Sequence, residues 1–134
     1  MPFMEWRNSY SVGVVRLDTQ HKRMIHIINA LHDAMEAPGG QDRVERVLEE
    51  LLEYVQSHFA DEEKAMAQAG YPSLALHQQK HRAMKVEVER LLRLEREGGV
   101  VPNRLMIFLK DWLAKHIGRT DRQYAEALKA AHIV

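Results

Sequence analysis

Apolar residues recur along most of this chain at alternating steps of three and four. One stripe runs Leu17, His21, Met24, Ile28, Leu31, Met35, and a second Val44, Leu48, Leu51, Val55, His58, Glu62, Met66. A third runs Leu74, His77, His81, Met84, Val88, Leu91, and a fourth Leu105, Phe108 or Leu109, Trp112, His116. That spacing turns one face of an α-helix toward a common core. The residues that break helices sit between the stripes, at Pro2, Gly13, Pro38-Gly39-Gly40, Gly70, Pro72, Gly98-Gly99, Pro102 and Gly118. They delimit helices over Asp18–Ala37, Asp42–Ala69, Ser73–Glu97 and Asn103–Ile117, and a short fifth over Asp121–Ala131. Asp42 followed by Glu45 predicts a capping box; Ser73 after Pro72 and Asn103 after Pro102 are further start signals. Residues 1–17 show no helical period, and with Trp6, Tyr10, Val12, Val14, Val15 and Leu17 they read as an extended arm across the bundle. Short connections between long helices predict antiparallel neighbours, hence an all-α, up-down-up-down four-helix bundle forming a single domain over 1–134.

Composition narrows the function classes. The 134 residues carry 19 basic and 19 acidic side chains, so there is no basic excess to serve a nucleic-acid or membrane surface. There is no cysteine, which removes disulfides, iron–sulfur clusters, thiolate zinc sites and thiol catalysis. No apolar run approaches the roughly 20 residues of a membrane span, and Met1-Pro2-Phe3-Met4-Glu5-Trp6 lacks the form of a secretory leader. The expectation is a soluble cytoplasmic domain. The eight histidines change the picture.

Five of them and one glutamate occupy stripe positions meant for apolar side chains. An unpaired buried polar group costs on the order of 1–3 kcal/mol and a lone buried carboxylate far more, against a total domain stability of about 5–15 kcal/mol. Something must satisfy all six together. In an up-down-up-down chain the start of the first helix, the end of the second, the start of the third and the end of the fourth share one end. His21, then His58 and Glu62, then His77 and His81, then His116 hold those places, within a turn or two of one another. His58 and Glu62, like His77 and His81, are four apart and project from one helix face. Glu63 lies about 100° further round and is expected to face solvent. Asp121, five residues past His116, has two readings: a turn swings its carboxylate over the bundle end, or it caps the last helix.

Neutral imidazoles with a carboxylate are the inventory of a transition-metal centre. Taken singly, each histidine is more simply a core or surface residue, and His26, His32 and His132 are read that way. Gln78, not glutamate, follows His77, so the histidine pair is not a zinc-protease helix. Met24, Met35, Met66 and Met84 fit core filling. Five imidazoles exceed the needs of one tetrahedral zinc, and calcium or magnesium prefers all-oxygen shells. Two ions sharing Glu62 and Asp121 use the whole set. No glutamate stands three residues before a histidine, so the set differs from glutamate-rich di-iron bundles.

The segments Val12-Gly13-Val14…Leu17-Asp18-Thr19-Gln20-His21-Lys22, His58-Phe59…Glu62-Glu63…Met66…Tyr71-Pro72…His77…His81 and Trp112-Leu113…His116-Ile117…Asp121 resemble hemerythrins, specifically the single-domain bacterial ones. The resemblance implies two non-haem iron ions with a bridging oxo or hydroxo group. His77, His81 and His116 would hold one iron, His21 and His58 the other, with Glu62 and Asp121 bridging. The second iron would be five-coordinate and would bind O2 end-on as hydroperoxide, reversibly. Met24, Phe59, Trp112, Leu113 and Ile117 would wall the O2 position; Met24 stands where the family commonly has leucine, and Met84 where it often has phenylalanine. The implied role is oxygen storage, delivery or scavenging, without catalysis. The rival roles are an O2 or redox sensor acting through a partner, and a di-iron oxidase or iron-handling protein. O2 is the expected ligand, with no nucleic acid or membrane; an unidentified O2-consuming enzyme or signalling protein is compatible as a partner.

Overall fold

A computed structural model describes residues 2–98 and 103–133 of the chain. The expected breaker Gly99, the start signal at Pro102 and the side chain of the stripe residue Leu105 lie outside the described residues. The helices are α1 (Val15–Glu36), α2 (Gln41–Gln68), α3 (Leu74–Arg96), α4 (Asn103–Lys115) and α5 (Arg122–Ala130). A 3₁₀ turn spans Asn8–Tyr10 and a π-helical turn His116–Thr120. α1 packs along α2, α2 along α3, and α4 against α1. Among the described residues no helix is long and apolar enough to cross a membrane.

Nearly every stripe residue is buried, as the spacing requires. Met35, Leu74 and Trp112 are half-buried, and of the pair Phe108 and Leu109 it is Leu109 that enters the core, leaving Phe108 48% exposed. The main core joins Met24, Ile28, Leu31, Leu48, Leu51, Val55, Val88, Leu91 and Leu109 along the bundle. A second cluster, Val12, Val14, Leu17, Ala65, Met66, Tyr124 and Leu128, closes one end with the arm and α5.

Three local expectations need correction. The arm is not extended throughout: it turns at Asn8–Tyr10, and residues 15–17 already belong to α1. Asp18 lies inside the first turn and reaches back to the arm, accepting from the Val12 amide at 2.9 Å and from the Ser11 hydroxyl. Further up, the Asn29 amide holds the Met4 backbone in both directions, at 2.7 and 2.8 Å. The capping box at Asp42 and Glu45 does not form. Gly40 is the N-cap and α2 starts at Gln41, with no side-chain cap bond. The turn is too tight for another residue to cap: a Cβ on Gly40 would run into the Ala34 carbonyl oxygen. Gly40→Ala is therefore expected to destabilise the protein by roughly 1–3 kcal/mol, the usual penalty for overpacking, read as a lower midpoint of chemical unfolding.

The third correction concerns Gly118, which does not break the chain. Lys115 and Asp121, on either side of the π turn, both keep right-handed helical backbone, and the Asp121 amide bonds the His116 carbonyl at 2.6 Å. α4 thus runs into α5 through one widened turn. The end of α2, by contrast, is abrupt. Gly70, at φ 67°, lets its own amide bond Ala67 and the Tyr71 amide bond Met66, which stops the helix and reverses the chain toward α3.

Candidate metal centre

The antiparallel helices bring all seven expected residues together. His21, His58, Glu62, His77, His81, His116 and Asp121 are each no more than 3% exposed. Glu62 Oε2 lies 2.8 Å from His21 Nε2, while its Oε1 lies 3.3 Å from His58 Nε2 and 3.1 Å from His81 Nε2. Asp121 Oδ1 lies 2.8 Å from His77 Nε2 and 2.9 Å from His116 Nε2; its Oδ2 lies 3.0 Å from His21 Nε2. Asp121 therefore belongs to the cluster, and makes no side-chain cap bond to α5. The π turn makes this geometry. In a regular α-helix residues five apart point about 140° away from each other, at 100° per residue; the widened turn brings His116 and Asp121 to one side.

His26 is exposed, half-buried His32 stacks on Phe3 at 4.2 Å, and His132 is exposed in the tail. These three stand apart from the cluster, as expected.

Glu63 does not face solvent freely. Its Oε2 lies 3.0 Å from His81 Nδ1, because the next position round α2 meets the seam with α3 rather than open water. Three further supports carry no stripe signal in the sequence. Gln20 places its amide oxygen 2.6 Å from His58 Nδ1 and donates from its nitrogen to Asp61 at 2.9 Å. The Tyr124 hydroxyl donates to Glu62 Oε2 at 2.7 Å, fully buried. For Tyr124 the available signal is its place, one turn past Asp121, on the inward side of α5.

The donor set fits a cation better than it fits itself. Glu62 Oε1, His77 Nε2 and both Asp121 oxygens are buried without a hydrogen bond, although partners stand at hydrogen-bond distance. The lone pairs converge on shared space instead of on one another. His81 Nε2 and His116 Nε2 face each other at 3.1 Å, and with the His81 proton held on Nδ1 by Glu63 that contact asks for a proton or a cation between the rings. Two groups of ligand atoms, Glu62 with His77, His81, His116 and Asp121, and Glu62 with His21 and His58, each lie within 4.8 Å. Two rings shield the first group: Phe59 stacks on His81 at 3.8 Å and Trp112 on His116 at 4.4 Å.

Charge is concentrated here. Burial opposes ionisation of Glu62, yet the charge of His58 and the close approach of the His21, His58 and His81 imidazoles hold its carboxyl well below the usual range. Burial and the charge of Glu62 oppose ionisation of Asp121; His116 and His21 outweigh them and keep it low too. Burial disfavours a charged His21, but Asp121 and Glu62 override it and push the imidazole up to about 10. Burial, helped by the charge of His81, pulls His116 down against the opposing influence of Asp121 and Glu62. Since the folded value of His21 exceeds its ordinary 6.5, its proton stabilises the metal-free fold fully below about pH 6.5. That contribution fades as the pH rises through about 10. A cation binding there must expel this proton. Zinc added to metal-free protein at about pH 7.5 is thus expected to release at least about one proton per chain, read with an indicator dye. Uptake without release would contradict the charge assignment.

The chain matches the family model described as the hemerythrin HHE cation binding domain over residues 12–128. It is 35% identical to a bacteriohemerythrin of Stenotrophomonas maltophilia, covering 97% of this chain and 84% of that protein. It is 31% identical to a bacteriohemerythrin of Methylococcus capsulatus, covering 97% and 100%. Among solved structures it superposes on wild-type hemerythrin with a TM-score of 0.87 at 30% identity, covering 94% of this chain and 98% of that one. A hemerythrin in which one leucine is replaced by tyrosine superposes with a TM-score of 0.89 at 30% identity, covering 96% and 98%. The helical bundle, the buried cluster of histidines and carboxylates at its end and the match across nearly the whole length agree: the chain belongs to the hemerythrin family.

Proposed function

We propose that this protein binds O2 reversibly at a pair of non-haem iron ions with a bridging oxo or hydroxo group. One observation carries the reading: each carboxylate faces both histidine sets. Asp121 turns one oxygen to His77 and His116 and the other to His21. Glu62 turns one to His58 and His81 and the other to His21. His77, His81 and His116 would hold one iron, His21 and His58 the other, with Glu62 and Asp121 shared. When bound, such a pair supplies reversible two-electron binding of O2.

The chain's own residues do the rest. Three histidines would serve one half-site and two the other, so an ion held by His21 and His58 would have the smaller protein share and could take a small ligand. Met24, Phe59, Leu113 and Ile117 are buried in the main core, with half-buried Trp112 packed against it. Their role would be to exclude water and anions, whose entry would promote loss of O2 as a reduced species and leave the irons oxidised. The neutral imidazoles on the ligand side and the hydrogen bonds behind them keep the donors in place whether or not O2 is present.

The test is anaerobic reconstitution with ferrous iron, iron counting, and absorption spectra through cycles of O2 and argon. Two irons per chain and an O2-dependent charge-transfer band that vanishes under argon are expected. One-way conversion to an oxidised spectrum would overturn reversible binding and shift the role to redox sensing or catalysis.

A further inference from the structure

Glu62 is the middle of three consecutive acidic residues, Asp61-Glu62-Glu63. Neighbouring positions on a helix are turned by about 100°, so the three carboxylates leave α2 in three directions. Glu62 enters the cluster. Glu63 crosses to α3 and stands 3.0 Å from His81 Nδ1. Asp61 goes the other way, to α1, accepting from the Gln20 amide nitrogen at 2.9 Å while the Gln20 oxygen stands 2.6 Å from His58 Nδ1. The outward nitrogens of both rings are therefore tied to acceptors. A carboxylate or amide oxygen can only accept, so both rings carry their proton on Nδ1 and turn the Nε2 lone pair to the centre.

The two acceptors are unequal. His81 meets a carboxylate directly. His58 meets a neutral amide, and the Asp61 charge acts on it one hydrogen bond further away. A charged acceptor makes the stronger bond and leaves the ring a better donor to a metal.

We infer that Glu63, and more weakly the Gln20–Asp61 pair, are positioning residues. They fix the metal-binding tautomers of His81 and His58 and make the half-site of His77, His81 and His116 the stronger donor of the two. This rests on reading the cluster as a metal centre, and it assigns a division of labour that the ligand set by itself does not contain. It also explains why three acidic residues stand together where one suffices for ligation.

Zinc is the probe, since it is diamagnetic and redox-inert. In the zinc-loaded protein the Nδ1 protons of His58 and His81 should appear in proton–nitrogen NMR as slowly exchanging, downfield signals, with His81 the further downfield. Glu63→Leu should lose the His81 signal and weaken zinc binding about 10- to 100-fold, measured against a competing chelator. Glu63→Gln, whose oxygen still accepts and whose shape is nearly unchanged, should keep the signal with a smaller downfield shift and an intermediate affinity. Gln20→Leu should cost less than Glu63→Leu. Wild-type zinc affinity and an unchanged His81 signal in both Glu63 variants would overturn the inference, and a larger loss in Gln20→Leu would overturn the order of the half-sites. If the zinc results hold but iron gives no O2-dependent spectrum, the positioning roles stand and O2 binding falls.

Discussion

Replacing Glu62 by glutamine is expected to reduce bound iron from two ions per chain to one or none and to abolish the O2-dependent spectrum. Glu62 is fully buried and its two oxygens face three histidines on three helices. With Asp121 it makes up the anionic charge inside the cluster, and in a low-dielectric site that charge is what offsets two dications. Glutamine keeps the volume and an oxygen for the Tyr124 hydroxyl, so the bundle should survive, with unchanged far-ultraviolet circular dichroism. It lacks the charge and brings N–H donors toward nitrogens that must offer lone pairs. A colorimetric iron assay decides the matter: two irons retained in Glu62→Gln would mean that Asp121 alone suffices to join the half-sites. Glu63→Gln is the natural contrast, since it leaves the ligand set intact and should keep both ions.

Loading the metal should raise the melting temperature by about 20 °C or more. Each ion present at a thousand times its dissociation constant adds about 4.1 kcal/mol, so two add about 8 kcal/mol. For a chain between the size classes usually surveyed, 1 kcal/mol corresponds to roughly 3–5 °C. Among the buried atoms left without hydrogen bonds, which include His21 Nδ1, the structural reason lies in Glu62 Oε1, His77 Nε2 and both oxygens of Asp121. They weaken the metal-free fold and become ligands in the loaded one. Calorimetry of the two forms provides the comparison. A rise of less than about 5 °C would show that the cluster satisfies itself without a cation.

The bundle and the inward cluster of histidines and Glu62 were legible in the sequence for the same reason. A helical stripe assigns each residue to the inside or the outside, and a histidine such as His81 inside Leu74, His77, Met84, Val88 and Leu91 stands out against its neighbours. Periodicity says less about the flanks of a stripe. Glu63 is one step from Glu62, and whether that step ends in water or at the seam with α3 depends on how closely the helices approach. Gln20 has the same difficulty, since its partners His58 and Asp61 are 38 and 41 residues away. Asp121 could not be placed from spacing because the five-residue interval from His116 suits one face only in a widened turn, and Gly118 reads as a break instead. The capping pair at Asp42 and Glu45 failed because α2 already starts at Gln41, from the tight turn at Gly40 against the Ala34 carbonyl, which puts Asp42 inside the first turn.

The residues of the cluster are also widely scattered in sequence: His21 and Asp121 are separated by 100 residues (121 − 21) yet meet at 3.0 Å. During synthesis no shorter segment of the chain holds the whole set. A growing chain that has made α1 and α2 owns His21, His58 and Glu62 but neither His77, His81, His116 nor Asp121. The first two helices thus carry one half-site, and the other half-site is complete only once α3, α4 and the π turn are made. The full set of donors therefore exists only when both ends of the chain have been brought to the same end of the bundle.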